Sequence, residues 1–289
     1  YEGLMGTPVV RDSLFYTFTS LVCSAYCDVT LKLSPAGLTL PNEQIYNVHG
    51  VRNEFLEIGR RAAKGAGHEA RAYFIGKAVY QKGWGPMLDL LEGPKAAKLF
   101  SGIHIDAYGS GPDDEAIKKR AAKLRESGVE LQVSEGIEHS DKSLSKFQVL
   151  VNPSTSEVLS TVIAEAIAMG KRVVLPRNSA NVFFEQHFAD RCHFYAATDT
   201  AAFAAAVRAA LDAGFPEPLP PHLQKLLSWD AAVDRFCDAA EVHVLSGSCT
   251  RPSEVDSSRL AYQVHRRIQN DVPSISSLLK SATLKSAPS

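Results

Sequence analysis

The stretch Phe147-Gln148-Val149-Leu150-Val151-Asn152-Pro153-Ser154-Thr155-Ser156-Glu157, running on through Val158-Leu159 and Ala164-Glu165-Ala166 to Met169, decides the fold. Five mostly apolar residues without alternation read as a strand buried on both faces. Asn-Pro-Ser breaks the strand. The apolar spacing from Glu157 to Met169 then predicts a helix, and Arg172 to Leu175 a further strand. A buried strand, a helix and a second buried strand make one parallel crossover unit.

The same rhythm extends outward on both sides. Upstream, Ala72-Tyr73-Phe74-Ile75 is a strand before a helix from Gly85 to Leu91. Ile103 to Tyr108 is a strand before a helix from Asp113 to Glu126, and Val129 to Val133 is another strand. Downstream come a short helix from Asn181 to Phe188, a short strand His193-Phe194-Tyr195 and an Ala-rich helix from Thr200 to Ala213. Repeated units of this kind predict an α/β fold, a doubly wound parallel sheet with helices on both faces. Residues 1 to 28 read as a helix with an apolar stripe through Leu14, Phe18, Leu21 and Val22. Val29 to Leu33 and Gln44 to Val48 read as short strands, with a Pro- and Gly-bearing loop between them. Two helical segments follow the Pro-rich stretch Pro216 to Pro221, near Pro221 to Leu227 and Trp229 to Val242.

The 289 residues carry 31 Lys and Arg against 32 Asp and Glu, a net charge of −1. That balance argues against nucleic acid as the main partner. No run reaches the ~18 apolar residues of a spanning helix, so any membrane contact is expected to be peripheral. The five cysteines, Cys23, Cys27, Cys192, Cys237 and Cys249, are few and odd in number, which fits packing residues in a reducing compartment. Eleven of the last 44 residues are Ser, so 246–289 is expected to be a disordered tail. The chain opens on Tyr1 without a signal or transit pattern, as expected after removal of a leader or for a piece of a longer protein.

In open α/β sheets ligands bind beyond the carboxyl ends of the strands. Three such ends are chemically loaded. After Phe74-Ile75, Gly76 permits a sharp turn. Lys77 and Lys82 then stand five apart near a helix start, where ammonium groups and free N–H groups together suit a diphosphate. The other reading of that spacing is a pair of solvated lysines. Tyr108-Gly109-Ser110-Gly111-Pro112-Asp113 reads as half a dinucleotide fingerprint or as a tight turn capped by Asp113. The third end carries Glu157 and Glu165, eight residues apart on the expected helix, a rise of about 12 Å. That separation matches two parts of one extended nucleotide sugar. Glu165 lies in an apolar helix and needs polar partners, which ribose hydroxyls would supply. A solvated helix edge is the alternative.

Lys77-x4-Lys82, the Gly-Ser-Gly-Pro turn, the Asn-Pro-Ser loop and the Glu157/Glu165 pair stand in the order found in retaining glycosyltransferases of family four, and the chain resembles that family. Ser24-Ala25-Tyr26-Cys27-Asp28, Asn47-Val48-His49-Gly50-Val51, Ala164-Glu165-Ala166-x-Ala168-Met169-Gly170-Lys171 and Leu227-Ser228-Trp229 are similar to its plastid galactolipid subgroup over about residues 20 to 243. Two departures stand out. Lys77 occupies a position usually held by Arg, which keeps charge but loses the bidentate fork. Phe147-Gln148 stands where the wider family often has Ala-Asp.

The resemblance implies a B-type fold of two facing Rossmann-like domains. Here it implies the end of an N-terminal acceptor domain over 1–42, a UDP-sugar-binding domain over 43–228, and a C-terminal helix over 229–245. The implied reaction moves galactose from UDP-galactose to monogalactosyldiacylglycerol, with retention, giving digalactosyldiacylglycerol at the chloroplast outer envelope, where the protein is peripheral. Lys77, Lys82 and Glu157 are the implied catalytic residues. The lysines neutralise the leaving diphosphate, and Glu157 holds sugar hydroxyls. Gly76, Gly109 and Gly111 shape the turns at the donor. The N–H groups of Val158 and Leu159 meet sugar or distal phosphate, Glu165 binds ribose, and uracil lies near Val133, Ser134 and Gly136. No metal or other cofactor is implied. The alternatives are another family-four hexosyltransferase using UDP-glucose, or an inactive UDP-sugar-binding fragment.

Overall fold

The computed structural model describes residues 8–249 apart from 28, 36–38, 41–42, 48, 63–68, 94, 156, 240–243 and 246–247. Of the expected tail over 246–289, Ser248–Cys249 form a short strand and the rest lies outside the described residues; the C-terminal helix expected over 229–245 ends at Ala239, with Val244–Leu245 in a strand paired to Ser248–Cys249. The chain divides into two compact units: 1–30, 40–42 and 241–289 form one, and 31–39 with 43–240 the other. In the first unit are α1 (Pro8–Tyr26) and, at the other end of the chain, the antiparallel pair β9 (Val244–Leu245) and β10 (Ser248–Cys249). The stripe expected on α1 is not a core face, because Phe18 and Leu21 are more than 60% exposed and Phe15 is too. Leu14 falls among residues whose side chains are not described.

The chain continues through β1 (Thr30–Lys32) and β2 (Glu43–Ile45), which pair, to α2 (Asn53–Ala62), β3 (Glu69–Ile75), α3 (Trp84–Leu91), α4 (Ala96–Leu99), β4 (His104–Tyr108) and α5 (Asp114–Glu126). Then come β5 (Glu130–Ser134), β6 (Phe147–Val151), α6 (Thr161–Ala168), β7 (Arg172–Pro176), α7 (Val182–His187), β8 (Cys192–Tyr195), α8 (Thr200–Asp212), α9 (Pro221–Leu226) and α10 (Trp229–Ala239). Six strands form one parallel sheet in the order β5-β4-β3-β6-β7-β8. The expected doubly wound sheet is therefore present, and its order reverses between β3 and β6.

Side-chain alternation assigns each face. On β3, Ala72 and Phe74 pack with Trp84, Met87, Ile117 and Phe203 on one side. Tyr73 and Ile75 pack with Phe55, Ile163, Ile167 and Phe184 on the other. Burial on both faces explains why Phe147 to Val151 reads as a continuous run rather than an alternating one. Gln148, in the middle of that run, donates through Nε2 to the Ala210 and Leu211 carbonyls at 2.9 and 2.7 Å. These belong to the last turn of α8, whose carbonyls have no partner within the helix. The departure at Phe147-Gln148 is thus a helix cap built from a core strand.

Two expectations are corrected and one element is added. The helix before Met169 begins at Thr161, not Glu157. The strand expected over Gln44 to Val48 is β2, ending at Ile45. And α2, unread in the sequence, packs through Phe55 and Leu56 against α6. A Cβ on Gly59 would lie 2.1 Å from the Ala168 carbonyl oxygen, so glycine is what lets the two helices approach.

Candidate functional site

The sheet order reverses between β3 and β6, and crevices in open α/β sheets form at the carboxyl ends of strands beside such a switch point. A cleft occurs there. Its walls include Ile75, Gly76, Lys77 and Lys82 from the β3 side, and Asn152, Glu157, Ser160, Thr161 and Val162 from the β6 side. His139, from the β5–β6 loop, completes it.

The lysine loop is held by its neighbour. Gly76 N–H donates to Tyr108 O, Ala78 N–H to Ser110 O, and Asp113 N–H to Ala78 O, all within 3.1 Å. The Asp113 carboxylate accepts from Tyr80 N–H at 2.8 Å. It therefore caps the 3₁₀ turn Tyr80–Lys82 rather than α5, where it stands at the cap position without a side-chain bond. Gly109 and Gly111 permit this lacing. A Cβ on Gly109 would lie 2.3 Å from Gly76 O, and one on Gly111 2.6 Å from Ala78 O. The left-handed residue is Gly83, with φ 94°, not Gly76. The sharp turn expected at Gly76 is made seven residues later, because the chain first runs through the capped 3₁₀ turn.

The Asn-Pro-Ser loop is tied by its own side chains. Asn152 Oδ1 accepts from Ser154 N–H at 3.2 Å, and Asn152 Nδ2 donates to Ser160 Oγ at 2.8 Å. Ser154 Oγ donates to Glu157 Oε1 at 3.2 Å, and Lys82 Nζ stands 3.8 Å from the same oxygen. These side-chain bonds compete with helix formation. They explain why Glu157, Val158 and Leu159 lie in the loop before α6. The N–H groups of Val158 and Leu159 are consequently not those of the helix start. That start is Thr161, with Ser160 at the cap position making no side-chain bond to the helix. The α6 N-terminus therefore faces the cleft uncapped, beside two ammonium groups. Such an arrangement suits an anion.

Glu165 lies about one turn into α6, its side chain 18% exposed. His139 Nδ1 stands 2.6 Å from its Oε2. His49 is buried nearby, its Nε2 without a partner. Burial pushes its pKa down to about 4; the Glu165 charge acts upward and Arg235 downward. His49 is therefore neutral at pH 7. Burial, with the Glu165 charge adding to it, raises the Tyr73 phenol. At the far end, Val133 and Ser134 close β5. Gly109 N–H donates to Ser134 O at 3.1 Å, and Gly136 N–H to Ser110 Oγ at 2.9 Å. The two loops thus meet edge to edge beside the cleft.

The structure brings Gly76, Lys77, Lys82 and Glu157 into one cleft, with Glu165 joined to it through His139. Gly109, Gly111, Val133 and Ser134 build the adjoining wall. His139 and Ser160 were not picked out from the sequence, and Asn152 was read only as part of the Asn-Pro-Ser loop. Asn152 carried a signal, the Asn directly after a buried strand; His139 lies in a loop with no pattern.

Residues 69–213 match the family of group 1 glycosyl transferases. Among curated relatives, digalactosyldiacylglycerol synthase 1, chloroplastic, of Lotus japonicus is 39% identical over 226 residues, covering 76% of this chain and 28% of the relative. Digalactosyldiacylglycerol synthase 2, chloroplastic, of Arabidopsis thaliana is 37% identical over 232 residues, covering 78% of this chain and 47% of that protein. The chain thus spans less than half the length of either. Among solved structures, sucrose-phosphate synthase from Thermosynechococcus elongatus superposes with a TM-score of 0.56 at 16% identity, over 81% of this chain and 61% of that one.

Proposed function

The chain belongs to the group 1 glycosyltransferase family, and on that premise we propose that it binds the donor UDP-galactose for an enzyme that galactosylates monogalactosyldiacylglycerol in plastids. The product is digalactosyldiacylglycerol. The observation that carries the reading is the convergence of Lys77, Lys82, Glu157 and the uncapped start of α6 at the switch point of the sheet. The plastid and galactolipid parts rest on the two chloroplastic relatives, 39% and 37% identical to this chain. We place 43–228 as the donor domain, 1–42 as the end of an acceptor domain, and α10 (Trp229–Ala239) as the helix that follows. The protein acts peripherally at the outer envelope.

The diphosphate takes the place that Glu157 now holds beside Lys82. Lys77, Lys82 and the α6 amides meet its oxygens, and charge-assisted bonds are stronger than neutral ones. As the bond from galactose to the diphosphate breaks, negative charge grows on the leaving UDP, where fixed cations and dipoles stabilise it. Glu157, released from Lys82, accepts from galactose hydroxyls. Glu165 accepts from the ribose, and uracil lies along Val133 to Gly136. With Glu157 on the sugar hydroxyls and Glu165 on the ribose, this reading assigns no carboxylate as a covalent nucleophile. Retention is therefore assigned to departure and attack on the same face of the sugar.

The test is product analysis of the full-length protein with labelled UDP-galactose, UDP-glucose and a monogalactosyl lipid. Labelled digalactosyl lipid from UDP-galactose alone supports the reading. Consumption of UDP-glucose instead redirects it to a glucosyltransferase, and no transfer from either donor contradicts it.

A further inference from the structure

His139 lies outside every motif read from the sequence, yet it lines the cleft and touches Glu165. We infer that His139 is a positioning residue, which holds Glu165 by one carboxylate oxygen so that the other is presented to the ribose of the bound nucleotide. The inference rests on the donor reading above and adds a residue to it.

The bond has one direction. An ionised carboxylate only accepts, so Nδ1 must carry the hydrogen at the observed 2.6 Å. Glu165 makes no second side-chain hydrogen bond among the described residues, which leaves Oε1 available. Its neighbours Ala164 and Ala166 are fully buried, so the helix is fixed while the long Glu side chain is not. A free Glu would spread over several rotamers. One hydrogen bond from a fixed loop selects among them before the ligand arrives, which lowers the ordering cost of binding.

The loop is fixed. Gly136 N–H donates to Ser110 Oγ at 2.9 Å, Asp141 N–H to Glu138 O at 2.9 Å, and Ser143 N–H to Asp141 Oδ1 at 2.8 Å. Ile137 packs against the core face that also contains Ile163 and Ile167 of α6. The loop that leaves the proposed uracil wall therefore ends, three residues after Gly136, on the proposed ribose carboxylate. Base and ribose contacts are joined through one short segment. A chance surface pair between a loop and a helix would contribute little; here the pair sits part-buried at the cleft edge, with side chains 34% and 18% exposed.

Calorimetric titration of the chain with UDP and with pyrophosphate tests this on wild type, His139→Leu, His139→Asn, Glu165→Gln and the Leu/Gln double variant. His139→Leu should weaken UDP about 3- to 10-fold, the size of one lost hydrogen bond, and leave pyrophosphate unchanged. His139→Asn, whose amide nitrogen replaces Nδ1, should recover most of the loss. The double variant should bind no more weakly than Glu165→Gln, because His139 acts only through Glu165. Wild-type UDP affinity in His139→Leu would overturn the inference. So would full additivity in the double variant, or an equal loss for pyrophosphate. Absence of UDP binding in the wild type, or its indifference to Glu165→Gln, would overturn the donor reading, and the inference with it.

Discussion

Lys82 Nζ stands 3.8 Å from a carboxylate oxygen of Glu157, and that contact gives each variant its own expected outcome. Lys82 is exposed and loses little packing, so Lys82→Ala should fold normally while turnover of the full-length enzyme falls. A charge-assisted contact of about 1.5–3 kcal/mol corresponds to a roughly 10- to 150-fold loss; steady-state rates beside a melting curve check it, and an unchanged rate makes Lys82 a bystander. Glu157→Gln removes the anion that competes with diphosphate for Lys82. UDP affinity of that variant should stay level or rise while sugar transfer collapses. A fall in UDP affinity would contradict the assignment of Glu157 to the sugar. Lys171 makes a different prediction. It is fully buried, donates to Ser145 O and Phe147 O, and burial lowers its pKa to about 7. An unfolded Lys titrates near 10.4, so between about pH 7 and 10 the unfolded chain binds the extra proton. Stability should therefore rise with pH across that window, by up to about 1.4 kcal/mol per unit. Urea melts at several pH values should show this slope in wild type and lose it in Lys171→Met; equal slopes would contradict it.

The loops, rather than the helices, carry the site, and their fit depends on glycine. Gly109→Ala puts a methyl group against the Gly76 carbonyl and the Trp84 ring. Overpacking of this kind costs about 1–3 kcal/mol, a fall in Tm of about 2–12 °C for a domain of this size. Because the strained contact lies under Lys77 and Lys82, UDP binding should weaken as well. A variant with unchanged melting would show that the two loops can separate freely. The inner strands β3, β6 and β7 were legible because both faces are buried and the runs meet Gly76, Asn152 and Pro176. β6 was read to the residue, and α3 and α5 within one. The start of α6 was not, because Ser154, Ser160 and Asn152 bond to one another and to Glu157. Spacing shows an apolar period but not side chains that hold the backbone out of it. Likewise α2 was hidden because Gly59, which lets it approach Ala168 of α6, reads as a helix breaker.

At the scale of the molecule, the parallel sheet was implicit in alternating strands and helices, but its order, and with it the switch point between β3 and β6, was not. The cleft residues Gly76, Lys77, Lys82 and Glu157 were legible because charged groups beside strand ends are few. His139 was not, and Asp113 was read as a cap of its own turn rather than of Tyr80–Lys82, since both depend on which loops come together. We place a nucleoside diphosphate at the carboxyl ends of β3 to β6, and an amide chemical-shift titration of this chain with UDP tests that placement. Saturable shifts are expected at Gly76, Lys82, Gly109, Gly136 and Thr161, and none at the opposite end of the sheet around Arg71, His104 and Arg125. No shift at the cleft of a folded sample, or shifts confined to that opposite end, would contradict it.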